Sequence, residues 1–212
     1  LEVSSYFDTI LDKGSVSLFM SATILSKDHL CKTTGLDPEK VKFIRIEDSD
    51  FPCKNRPIHM MNVAWLSAKT MNASMPKIAQ AVDNIMSVHR NEKGIIHTTS
   101  YSQLQFIRDN VSKENASRLI ETASSLDRSE VLRKHYESKK QTVLISPSLH
   151  LGVDLKDDLS RFQVIVKVPY PDLTDKKIAA KKDRDPNWYT WNTVLRLVQA
   201  YGRSIRSSDD YA

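Results

Sequence analysis

The C-terminal stretch Gln199-Ala200-Tyr201-Gly202-Arg203-Ser204-Ile205-Arg206 holds the residue types best suited to phosphate chemistry. Arg203 and Arg206 stand three apart, so on a continuing helical turn they project from neighbouring positions. Two guanidinium forks converging on one point suit the spread negative charge of a transferring phosphoryl group. Gly202 lets the backbone approach a ligand closely or ends the helix. The competing reading is a solvated basic helix end that complements the helix dipole, and an RxxR pattern alone does not separate the two.

Three other polar stretches follow apolar runs: residues 21–23, 98–100 and 146–154. In parallel α/β sheets, ligands bind where strands end and helices begin. At Thr98, Thr99 and Ser100 the hydroxyls would sit beside the free N–H groups of a following helix, a combination that seats a backbone phosphate. Plain helix capping by the same hydroxyls is the competing reading.

The elements that position these residues are legible as alternating apolar runs and helical periods. Residues 16–20 and 41–46 read as strands, the second half-exposed. Ser26 offers an N-cap for a short helix that Gly35 stops. Residues 50–57, with Pro52 and Pro57, form a loop. A longer helix is expected with Ser74 as N-cap, Pro76 in its first turn, and Ile78, Val82, Ile85 and His89 on one face. Gly94 opens a strand over residues 95–97, followed by a helix with Leu104, Ile107 and Val111 on one side. Residues 118–122 read as a short strand, and Asp127 with Glu130 as a capping pair for a helix to about Lys139. The continuous apolar run at residues 142–145 fits a parallel strand covered on both faces, and residues 162–168 are the next. A last helix from about Asn187 to Tyr201 would bury Trp191, Val194, Leu195, Val198 and Tyr201. Strands separated by helices of this length imply a mostly parallel, three-layer α/β sheet.

Composition narrows the class. The 212 residues carry 31 Lys+Arg against 26 Asp+Glu, a mild excess of +5 compatible with nucleic acid but not diagnostic of it. With 40% hydrophobic and 27% charged residues the chain is a folded, not a disordered, one. No apolar run approaches the ~20 residues of a membrane span, so no membrane partner is expected. Cys31 and Cys53 alone make neither a disulfide framework nor a zinc pattern, and six histidines lack ligand spacing, so no metal site is expected and an intracellular location (cytoplasm or nucleus) is. The methionines Met60, Met61, Met71, Met75 and Met86 read as core filler, and Trp191 as core, while Trp188 and Tyr189 stay open between packing and base stacking. Lys176, Lys177, Lys181, Lys182 and Arg184 read as a solvated helix face, with phosphate tracking as the alternative.

Four segments then combine. FMSATIL at residues 19–25, GIIHTTS at 94–100, LGVDL at 151–155 with its trailing strand and PYP, and QAYGRSIRSSDDY at 199–211 resemble motifs III, IV, V and VI of a superfamily 2 DNA helicase of the XPD/DinG group, in the family's order. The resemblance implies a single RecA-like domain over residues 1–212, the C-terminal motor domain. It implies that Arg203 and Arg206 are arginine fingers reaching the γ-phosphate, that Gln199 senses nucleotide, and that Gly152, Asp154 and Gly202 line the ATP cleft. Ser21 and Thr23 of motif III, with Thr98, Thr99 and Ser100 of motif IV, would contact single-stranded DNA. Leu151 departs from the family, which usually has Glu there, so position 151 is not carried over.

The sequence contains no GxxxxGK[ST] loop and no DEAH-like pair. The resemblance places the phosphate cradle, Mg²⁺ and a possible four-cysteine iron–sulfur cluster in a first motor domain, the expected partner of this one; two cysteines cannot hold such a cluster. The chain, with no initial Met and ending just past motif VI, thus reads as half of an ATP-dependent motor excised from a larger protein. Two rivals stand beside it: a non-catalytic nucleic-acid-binding α/β domain, and a small-molecule α/β enzyme whose SAT and RxxR segments are coincidental.

Overall fold

The computed structural model describes residues 4–21, 23–24, 26–46, 51–67, 69–121, 128–148, 154–202, 204–205 and 207–212. Two compact units divide the chain: residues 1–49 with 170–195, and residues 50–169 with 196–212.

The second unit holds the sheet. Strands β1 (Gly94–His97), β2 (Leu119–Glu121), β3 (Val143–Ser146) and β4 (Phe162–Ile165) run parallel in the order β2-β3-β1-β4. Their registers pair Ile95 with Leu144 and Gln163, and Ile96 with Ile145 and Val164. Successive side chains of a strand point to opposite faces, and the packing follows that period of two. Ile96, Val143 and Ile145 pack with Met75, Ile78, Val82 and Met86 of α3 (Met71–Val88) and with Leu104 and Ile107 of α4 (Tyr101–Asn110). Ile95 and Leu144 pack on the other face with Val131 of α6 (Arg128–Glu137) and with Leu155. This is the three-layer α/β arrangement expected, and the fully buried, all-apolar centres of β1 and β3 follow from cover on both faces. A four-residue α5 (Lys113–Ala116) leads into β2. Gly94 lies where a Cβ would come within 2.4 Å of the Phe162 ring, so only glycine lets β1 and β4 pack at this point.

The first unit contains α1 (Ser4–Leu11), α2 (Lys27–Thr34), α7 (Lys176–Arg184) and the first ten residues of α8 (Pro186–Tyr201). Ser26 caps α2 by accepting the His29 N–H, and Gly35 closes it in the left-handed conformation at φ 77°, as expected. No helix among the described residues is long and apolar enough to cross a membrane.

Several expectations need correction. Residues 16–20 and 41–46 form no strand and join no ladder among the described residues, and Val16, Leu18, Met20, Ile44 and Ile46 are exposed. Alternation signals a strand, but only a neighbouring strand makes one. Helix α3 starts three residues before Ser74, with Thr70 at its N-cap; Ser74 is buried inside it and its hydroxyl donates to the Trp65 carbonyl at 2.8 Å. Met75 and Met86 are core, whereas Met60 and Met61 lie exposed in an extended segment. On α8, Val194 is exposed and the buried positions are Thr193 and Ala200; the Thr193 hydroxyl donates back to the Tyr189 carbonyl at 2.9 Å, which makes its burial tolerable. Trp191 is half-buried, stacked on His29 at 4.1 Å between ring centroids. Asp127 lies outside the described residues.

Candidate functional site

The carboxyl ends of β1, β3 and β4 bring one group of expected residues to a common edge. Beyond His97, the Thr98 N–H donates to the Ser146 carbonyl at 3.1 Å and the Val166 N–H donates to the His97 carbonyl at 3.0 Å, so the ladder continues one step past the strands. Thr98 is buried, and its hydroxyl has no hydrogen-bond partner among the described residues. Ser100 caps α4, its oxygen accepting the Gln103 N–H at 3.3 Å. Gln103 reaches back: its Oε1 accepts both the N–H and the hydroxyl of Thr99, each at 3.0 Å. This is a capping box displaced by one residue, since the side chain at the third helical position satisfies Thr99 and not the N-cap itself. Capping therefore occupies the Thr99 donors and the Ser100 acceptor. The first amides of α4 and the hydroxyls at its mouth, Ser100 and Ser102 at 2.9 Å from each other, complete a donor-rich end for an anion.

Ser21 and Thr23 belong to the first unit, the other described site residues to the second. The Ser21 oxygen accepts the Thr23 N–H at 3.2 Å and lies 3.2 Å from the Thr23 hydroxyl, a local turn that orients both groups. Asp154 is exposed and its carbonyl accepts the Tyr136 hydroxyl at 2.8 Å. Gln199 lies half-buried in the last turn of α8, which Gly202 closes by donating to the Val198 carbonyl at 3.1 Å. Gly152, Arg203 and Arg206 lie outside the described residues.

The chain on either side of Arg203 is nevertheless tightly held, by residues that sequence reasoning missed. The Gln163 amide of β4 donates to the Tyr201 carbonyl at 2.8 Å and to the Ser204 hydroxyl at 2.6 Å. Ser204, fully buried, donates to the Ser160 hydroxyl at 2.8 Å. Further on, Asp210 is buried and accepts the Arg161 guanidinium at 2.6 Å through Oδ1 and the Asp157 N–H at 3.2 Å through Oδ2. Asp157 has a positive φ of 56°, a conformation that Asp tolerates better than most residues and that this bond helps hold. Arg161 also binds the Tyr211 carbonyl and Asp158, and lies 4.2 Å from the Tyr211 ring centroid. Burial works against its charge, but the carboxylates of Asp158 and Asp210 outweigh that and raise its pKa. Asn55 donates to the carbonyls of Ser208 and Asp210 and accepts the Ala212 N–H. The available signals were slight: a lone Gln in an apolar strand, and the Asp-Asp-Tyr that ends the fourth motif.

Among the described residues, no group of His, Cys, Asp or Glu is arranged to hold a metal ion. Asp210 does not fit Mg²⁺, because Arg161 and the Asp157 amide already take both its oxygens.

Residues 82–212 match the family described as the helicase C-terminal domain. That is more than half the chain, and the chain belongs to this family. The match covers motifs IV to VI and leaves residues 19–25 outside it. Over 174 residues the chain is 26% identical to the ATP-dependent DNA helicase CHL1 of Scheffersomyces stipitis, covering 69% of this chain and 21% of that protein. The chain thus spans about a fifth of that relative's length. Among solved structures, S. tokodaii Xpd4 aligns with 68% of this chain and 30% of its own, at 19% identity and a TM-score of 0.47. A helicase C-terminal domain is what motifs IV to VI implied.

Proposed function

We propose that this domain is the second motor domain of an ATP-dependent DNA helicase. Arg203 and Arg206 meet the triphosphate of ATP held by a first motor domain, and motifs III and IV grip single-stranded DNA. The observation that supports this most is the held C-terminal segment: in a helicase C-terminal domain, the residues flanking Arg203 are pinned to β4 through Gln163, Ser160 and Ser204, and the segment's far end through Asp210 and Arg161. Electrostatic stabilisation of a phosphoryl transition state depends on preorganisation, and a held backbone segment is one way to supply it.

ATP is the substrate, and Gln199 and Gly202, at the end of α8, contact it beside the arginines. The first motor domain holds the phosphates and Mg²⁺, and no step here runs through that ion. Gly152 and Asp154 of motif V link the nucleotide cleft to the strand-binding edge. The turn of Thr98, Thr99 and Ser100 presents the first amides of α4 and the Ser100 hydroxyl to the strand's phosphates, while Ser21 and Thr23 pass the state of the cleft to it. Cleft closure on ATP and opening after hydrolysis then move the domain along the strand.

The test uses the full-length protein that carries this domain. Arg203→Ala should lower ATP turnover by about 10³-fold or more, the typical worth of an arginine finger, with little change in single-strand affinity. A wild-type rate removes the finger assignment. A full-length protein that binds single strands with no turnover at all favours the non-catalytic rival.

A further inference from the structure

We propose that α7 and the start of α8, whose residues belong to none of the four motifs, form a contact surface for single-stranded nucleic acid. The proposal rests on nucleic acid being this domain's partner. Asp175 opens α7 by accepting the Lys177 N–H at 2.8 Å, and no residue of the helix is buried. Lys177, Lys181 and Arg184 follow at i, i+4 and i+7, one side of the helix, and Trp188 extends the same series at i+11 beyond the break at Asp185. Cations four residues apart on a helix stand about 6 Å apart along its axis. The Lys181 ammonium lies 4.5 Å from the centroid of the Trp188 ring, and that of Lys182 lies 5.6 Å from the Tyr189 ring. Tyr189 in turn stacks on Tyr170 at 5.7 Å, and its hydroxyl donates to the Pro171 carbonyl, so the rings are fixed in place.

The acids nearby do not cancel the charges of Lys177 and Lys181. Asp175 is spent on the cap, Asp185 pairs with Lys32 at 2.7 Å and accepts the Trp188 N–H, and Asp183, two residues past Lys181, falls on a different side. A row of cations alone would suit any polyanion. Here two of the ammonium groups sit against aromatic rings, and a single strand is the polyanion whose charges alternate with flat bases that stack on such rings. An acidic polypeptide has no use for the rings.

The experiment measures binding of a labelled oligothymidylate to the 212-residue chain by fluorescence anisotropy over a salt series. Removing Lys177, Lys181 and Arg184 together by alanine substitution should reduce the slope of log affinity against log salt by about 2, from about 0.7 per lost phosphate contact. Trp188→Ala should weaken binding by about tenfold with the slope unchanged, and Trp188→Phe should restore most of it. If circular dichroism shows the triple variant to be less helical, Lys177→Gln alone should lower the slope by about a third as much. An unchanged slope in a folded variant, with the wild type still binding, overturns this surface and leaves the proposed function standing. Polyglutamate binding as tightly as oligothymidylate, with Trp188→Ala indifferent, also overturns it in favour of an acidic protein partner. A wild-type chain that binds no strand at any salt removes the partner itself, and both readings with it.

Discussion

At the scale of single residues, the interior spends its polar groups on holding backbone. His135 is fully buried, with Nε2 against the Leu159 carbonyl at 2.8 Å and Nδ1 against the Thr142 hydroxyl at 2.9 Å. A carbonyl can only accept, so Nε2 carries the proton and Nδ1 accepts from Thr142. Burial pushes its pKa down to about 4; the Leu159 bond works the other way, and the nearby Lys93 charge adds to the lowering. Lys93 is itself buried and donates to the carbonyls of His135 and Ser138 at the end of α6. The folded state therefore keeps His135 neutral between pH 6.5 and about 4, while the unfolded chain takes up a proton there. Its stabilising contribution is complete above pH 6.5 and falls by up to about 1.4 kcal/mol per pH unit as pH drops toward 4. Urea unfolding across that range should show a shallower acid loss for His135→Gln than for the wild type; parallel curves would remove the role given to this imidazole.

At the scale of elements, the described residues after α8 form no helix or strand and are held by β4 and the turn before it. Asp210 is the pivot, because its carboxylate joins the Arg161 guanidinium to the strained Asp157 amide. Removing one partner of a buried ion pair leaves the other uncompensated, so Asp210→Ala should cost about 3 kcal/mol by chemical denaturation. Asp210→Asn, which keeps an acceptor, should cost less. Equal stability of Asp210→Ala and the wild type would mean that the pair is solvated and does not hold the segment. The mouth of α4 shows the same economy at smaller scale: Ser100 and Gln103 between them satisfy the backbone at the start of the helix.

At the scale of the molecule, the proposed function gives the domain one half of a reaction. The arginines proposed to act on ATP stand in a sequence with no phosphate-binding loop, so the 212-residue chain should hydrolyse no ATP, with or without single-stranded DNA. A phosphate-release assay checks this, and robust turnover would overturn the division of labour between two motor domains. The parallel sheet was legible because β1 and β3 are continuous apolar runs, a pattern that needs cover on both faces. The limits of α2 were legible from Ser26 and Gly35, whose cap chemistry is local. Residues 16–20 and 41–46 misled because alternation reports a side-chain pattern and not a ladder partner.

The amino-acid order by itself determined the family, through motifs IV to VI, and the strands and caps whose physics spans a few neighbouring residues. Tertiary structure alone decided that Gln163 and Ser160 meet Ser204 across some forty positions, and that Arg161 meets Asp210 across 49. Such contacts depend on which chain segments the sheet order brings side by side, and no local pattern encodes that.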